Sequence, residues 1–121
     1  METARALRIL LRGMNNYRLG LPLVVSFEVT HSCTCNCRHC DKGGPDDLEY
    51  LIPPDEYTRW VQTLRPVAVQ ISGGEPLTRP DVAEVVRAIK QPDGLPYIIF
   101  VTNGSLLHEG WYHRLKEAGV D

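Results

Sequence analysis

No apolar run in this sequence approaches the roughly 20 residues needed to cross a bilayer, so a transmembrane helix is not expected. An excess of one charge is lacking too. Thirteen Lys and Arg stand against 15 Asp and Glu for a net charge of −2, which favours neither nucleic acid nor an anionic membrane as partner. Cysteine is absent from residues 1–32 and 41–121. A disulfide framework spreads its cysteines to close loops, and Cys33, Cys35 and Cys37 alternate too closely to pair without strain. Disulfides are therefore not expected. The unbroken apolar stretch of a secretory leader is also missing, because Arg5, Arg8 and Arg12 interrupt the leucines of "METARALRILLRGM". Residues 1–20 read instead as a short amphipathic helix and lead-in, with the leucine-rich face expected to pack on its own domain. A cytoplasmic location is expected.

What is present is an alternation of short apolar runs and amphipathic segments. "LPLVVSFEV" (21–29) is β-rich with its proline near the start, where a strand tolerates it. "PPDEYTRWVQTL" (53–64) has Pro54, Asp55 and Glu56 at a helix start, then Tyr57, Trp60, Val61 and Leu64 at helical spacing. "VAVQIS" (67–72) is a second strand, ending in "GGEPL". Thr78 is expected to cap a helix over 79–90, with Asp81 completing a capping-box pattern and Val82, Val85, Val86 and Ile89 forming the buried stripe. "QPDGLP" is a turn, "YIIFVT" (97–102) a third strand ended by "NGS", and a last helix over about 108–118 closes at Gly119. Strands alternating with helices predict an α/β fold with a parallel sheet, about three β/α units long. In such folds chemistry gathers at the carboxyl ends of the strands. The cysteine loop, "GGEP" and "TNG" all lie at such ends.

The loop "THSCTCNCRHC" (30–40) holds all four cysteines. Read as Cys33-x3-Cys37-x2-Cys40, it leaves Cys35 spare. Three thiolates can hold three irons of a four-iron cubane and leave the fourth without a protein ligand. An electron-transfer ferredoxin uses four thiolates on a different spacing, commonly with proline after the last, whereas Cys40 precedes Asp41. Zinc held by cysteines, or by three cysteines and a histidine, is the alternative, with His31 and His39 nearby. Spacing alone leaves iron–sulfur and zinc both open. Asp46, Asp47 and Glu49 read as a solvated connection.

Taken together, C-x3-C-x2-C after a first strand, "SGGEPL" after a second and "TNG" after a third resemble the radical S-adenosylmethionine (radical SAM) enzymes. The resemblance implies the N-terminal part of a (β/α)6 partial TIM barrel, with residues 21–121 forming an incomplete core domain. It implies a [4Fe-4S] cluster on Cys33, Cys37 and Cys40, and S-adenosylmethionine met at its methionyl end by Gly73, Gly74, Glu75 and Pro76. The glycines, lacking Cβ, would let backbone approach that ligand closely. His39 would lie near adenine, and Thr102 and Asn103 would reach the cofactor from the third strand. Reductive cleavage to a 5′-deoxyadenosyl radical would serve hydrogen abstraction from a small molecule or peptide. An external donor such as flavodoxin or ferredoxin would supply the electron. A non-catalytic zinc- or iron–sulfur-binding module is the other reading. No role is expected of Cys35 or His31, and the chain is expected to be a fragment.

Overall fold

The computed structural model describes residues 2–121. Its elements are α1 (Glu2–Leu19), β1 (Val24–Glu28), α2 (Pro54–Leu64), β2 (Ala68–Ser72), a single 3-10 turn (Pro76–Thr78), α3 (Val82–Ile89), β3 (Tyr97–Phe100) and α4 (Glu109–Ala118). The three strands pair in parallel in the order β1-β2-β3. The expected α/β architecture with three β/α units is present.

Register places Val25, Val69 and Ile98 in one row and Phe27, Ile71 and Phe100 in the next. Because side chains alternate across a strand, both rows point to the same face. The helices α2, α3 and α4 cover that face, and Val61, Val82, Val85, Val86, Ile89 and Leu115 fill the layer between. Phe27 stacks on Trp60 at 5.8 Å and meets Tyr57 edge-on at 5.2 Å. The opposite face carries Val24, Ser26, Glu28, Gln70, Ser72, Tyr97 and Ile99, none of them buried. Mixed polarity on an open face of a parallel sheet is the pattern of a barrel lumen rather than of a sandwiched core.

Two expectations about the helices need correction. The leucine-rich face of α1 does not pack on the domain: Leu7, Leu10, Leu11, Met14 and Tyr17 are exposed. The opposite, polar face docks instead. Arg5 pairs with Asp121, Arg12 pairs with Asp93, and Arg8 donates to the Asp93 carbonyl at 2.6 Å. Buried Asn16 donates to the carbonyls of Pro22 (3.0 Å) and Arg65 (2.8 Å). The loops beneath the sheet offer carbonyls and carboxylates, so hydrogen-bonding side chains settle there in preference to leucine.

Thr78 does not cap α3. It lies in the 3-10 turn, with its hydroxyl donating to the Glu75 carbonyl at 2.7 Å. The helix begins three residues later than expected, at Val82, with Asp81 as a cap residue that makes no side-chain cap bond. Pro80 and the bonds of Arg79 and Asp81 to each other draw this segment away from helix geometry. The valine stripe is unaffected: Val82, Val85, Val86 and Ile89 are all fully buried.

Candidate functional site

The three loops predicted to share an edge are bonded together at the carboxyl end of the sheet. Beyond β1 and β2 the backbones stay in register, with Gly74 N–H donating to the Thr30 carbonyl and Glu75 N–H to the Ser32 carbonyl, both at 2.8 Å. Gly73 adopts φ +139°, a conformation L side chains rarely take. A Cβ on Gly73 would collide with the Thr30 carbonyl oxygen, and one on Gly74 with that of Ser32 while lying 2.6 Å from that of His31. The close approach these glycines permit is thus, in the first place, to the cysteine loop's own backbone.

Glu75 is fully buried, and its carboxylate points into the structure. Oε1 accepts from Leu77 N–H (3.0 Å) and the Thr102 hydroxyl (2.8 Å); Oε2 accepts from Asn103 N–H (2.7 Å). Three donors satisfy a charge that burial would otherwise penalise. The side chain therefore straps the third strand's loop to the second's, while the backbone of the same residue holds the first's. Pro76, also buried, opens the 3-10 turn.

The cysteine loop divides along its length. Cys33 and Cys35 are half-buried, with Cys33 N–H bonded to the Gly44 carbonyl at 2.9 Å. The Asn103 amide nitrogen lies 3.1 Å from Thr34 Oγ1, 3.4 Å from Cys35 Sγ and 3.9 Å from Cys33 Sγ. Cys37 and Cys40 are exposed, joined by a turn in which Cys40 N–H donates to the Cys37 carbonyl at 3.1 Å. His39 is exposed beside them. All four thiols are free. Among the described residues no three Cys, His, Asp or Glu side chains stand close enough together to hold a metal ion. The donor chemistry nevertheless fits a thiolate-ligated cluster: the free thiols come from one loop, and the base of that loop is fixed against two glycines.

Two anchors of this loop were not anticipated. Glu49 is half-buried and accepts from the Thr30 hydroxyl (2.7 Å) and His31 N–H (2.5 Å), so it is a structural tie and not part of a solvated connection. Arg79 is 1% exposed. Its guanidinium donates to the carbonyls of Val29 (2.9 Å) and Ile52 (2.6 Å), the two ends of the loop, and binds Asp81 through two nitrogens. The bond from Arg79 holds the Asp81 carboxyl below the usual carboxylate range. Burial is the largest influence on Arg79 and works against its charge, but the bond and charge of Asp81 together with Tyr57 outweigh it, and its affinity for the proton is raised. Arginine is rarely buried unless paired, and nothing in "TRPD" distinguishes it from a surface residue.

The profile of the Radical SAM superfamily matches residues 27–121. The chain belongs to this superfamily. A probable GTP 3′,8-cyclase of Pyrococcus abyssi is 33% identical over a 111-residue alignment that covers 86% of this chain and 34% of that protein. An AdoMet-dependent heme synthase of Methanosarcina barkeri is 33% identical over a 104-residue alignment that covers 82% of this chain and 29% of that protein. The radical SAM chain described here thus spans about a third of the length of these curated relatives. The crystal structure of BtrN in complex with AdoMet and 2-DOIA superposes with a TM-score of 0.68 at 22% identity, over 83% of this chain and 43% of that one. That likeness establishes the fold: the three β/α units correspond to the N-terminal part of a radical SAM partial barrel. The superfamily is one of enzymes, and a [4Fe-4S] cluster and S-adenosylmethionine are its cofactors. Among the described residues no helix is long and apolar enough to cross a membrane.

Proposed function

We propose that this chain forms the cluster- and S-adenosylmethionine-binding part of a radical SAM enzyme. Cys33, Cys37 and Cys40 would hold the cluster as thiolates, leaving one iron without a protein ligand and open to the amine and carboxylate of S-adenosylmethionine. When bound, these cofactors supply reductive cleavage to methionine and a 5′-deoxyadenosyl radical that takes a hydrogen atom from the substrate. Residues 21–121 form this part of the core, with 1–20 as an N-terminal helix and lead-in.

The observation that carries the reading is the bonding of Thr30 and Ser32, at the root of the cysteine loop, to Gly74 and Glu75. It supports the reading because it ties the residues just before Cys33 to those assigned to the methionyl group. Gly73, Gly74, Glu75 and Pro76 contribute through backbone, since the Glu75 carboxylate is engaged within the fold. Thr102 and Asn103 border the cofactor from the third strand, Asn103 through its backbone because its carboxamide faces the cysteine loop. Exposed His39 supplies a flat ring for adenine once the far half of the loop closes. Metal binding is folding free energy for whatever it orders, and here that is the segment around Cys37 and Cys40.

The substrate is a small molecule or peptide, and an external one-electron donor such as flavodoxin or ferredoxin serves the cluster. A loop of free thiols suits the reducing cytoplasm. Anaerobic iron–sulfide reconstitution of the purified chain tests the assignment. A brown protein whose reduced paramagnetic resonance changes on adding S-adenosylmethionine is expected. A colourless protein carrying one zinc would replace this reading with the metal-module alternative.

A further inference from the structure

The cysteine loop offers a metal one thiol more than the proposed ligand set uses. Cys35 lies between two assigned ligands, and a fourth thiolate on the open iron would occupy the position that S-adenosylmethionine needs. Something must keep it out of competition.

The carboxamide of Asn103 is oriented for that task. Its Oδ1 accepts from Ser105 N–H at 2.9 Å, which fixes the amide's rotation and turns the NH2 group toward the cysteine loop. Facing that group are Thr34 Oγ1 at 3.1 Å and Cys35 Sγ at 3.4 Å, with Cys33 Sγ farther away at 3.9 Å. The Ser105 hydroxyl lies 2.5 Å from Thr34 Oγ1, closing a second bridge between the same two loops. Asn103 is itself held from behind by its backbone N–H on buried Glu75. Cys35 is also tied through its carbonyl, which accepts from Gly44 N–H at 3.4 Å. The exposed Cys37 and Cys40 have no such contact with Asn103.

We infer that Asn103 is a positioning residue that selects the ligand set, its amide N–H retaining Cys35 on the third strand's loop so that the cluster's fourth iron stays open. The inference rests on the assignment of Cys33, Cys37 and Cys40 as ligands. It goes further in giving Cys35 a constraint and Asn103 a partner. The donor must be an N–H group: Asn103→Asp keeps the Oδ1 acceptor for Ser105 but replaces the NH2 by oxygen, which repels a thiolate.

The test uses the chain in cluster-free and reconstituted forms. In the cluster-free protein, alkylation followed by peptide mass spectrometry should label Cys35 more slowly than Cys37 or Cys40. Asn103→Ala should raise the Cys35 rate at least threefold without moving the other two. After anaerobic reconstitution, wild-type protein shows a paramagnetic signal altered by S-adenosylmethionine. Asn103→Ala should retain iron but lose most of that response, and Asn103→Ala/Cys35→Ala should regain it. Failure of the second change to restore the response, or an unaltered response in Asn103→Ala, overturns the inference while leaving the three-cysteine assignment in place. A wild-type cluster that never responds to S-adenosylmethionine refutes the assignment itself.

Discussion

The two halves of the cysteine loop differ more than their close spacing of thiols suggests. From Thr30 to Cys35 the chain is held by Gly74, Glu75, Gly44, Glu49 and Asn103, through backbone and side-chain bonds together. From Cys37 to Cys40 the thiols are exposed and a single turn joins them. The chain's own hydrogen bonds tie down the root of the loop, whereas the tip has few of them and, under the proposed assignment, would be ordered by the cluster. Under that assignment, a root already tied down would lower the ordering cost of binding there.

The largest effect should come from the exposed half. Cys37→Ala or Cys40→Ala should abolish cluster loading, read as bound iron, while changing the stability of the cluster-free chain by less than about 0.5 kcal/mol in chemical denaturation. In the anchored half the pattern reverses. Arg79→Met leaves the Val29 and Ile52 carbonyls without their donor and should cost about 3 kcal/mol in the cluster-free protein. Gly74→Ala pushes a Cβ into the carbonyls of His31 and Ser32 and should cost about 2 kcal/mol, with weakened loading as a consequence. A loss of stability from the Cys37 or Cys40 variants, or none from Gly74→Ala, would break the distinction between the halves.

A smaller effect concerns pH. The folded Asp81 carboxyl is held below its ordinary value of 3.8 by Arg79. Stability from this pair is therefore complete above that ordinary value and is lost as pH falls below it, toward the lower folded value. Asp81→Asn should flatten the fall in stability below about pH 5 and leave the stability lost by the substitution visible at neutral pH. An acid limb as steep in Asp81→Asn as in wild type would remove Asp81 from the anchor.

Periodicity was a sound guide where burial is decided by side-chain pattern alone. The valine stripe of α3, the parallel sheet and the convergence of three loops were legible because alternating strands and helices leave few other arrangements. The contacts within the site were harder to read. Glu75 could be recognised as part of a motif, but its inward carboxylate depends on Thr102 and Asn103 arriving from a strand 27 and 28 residues away in sequence. Arg79 gave no local sign because its partners come from Val29, Ile52 and Asp81. For α1 the helical pattern was plain, yet which face docks depends on the carbonyls and carboxylates beneath it. Long-range hydrogen bonding, unlike apolar spacing, leaves no period in the sequence.

Hydrogen exchange measured before and after anaerobic cluster loading addresses the central claim, that a prebuilt root and an open tip share one loop. Amides of residues 74 and 75, bonded to the Thr30 and Ser32 carbonyls, should be protected in the cluster-free chain and change little. Amides from 36 to 42 should pass from fast exchange to protection on loading. Protection of 36–42 already present without the cluster, or fast exchange at 74 and 75 until the cluster binds, would contradict the account.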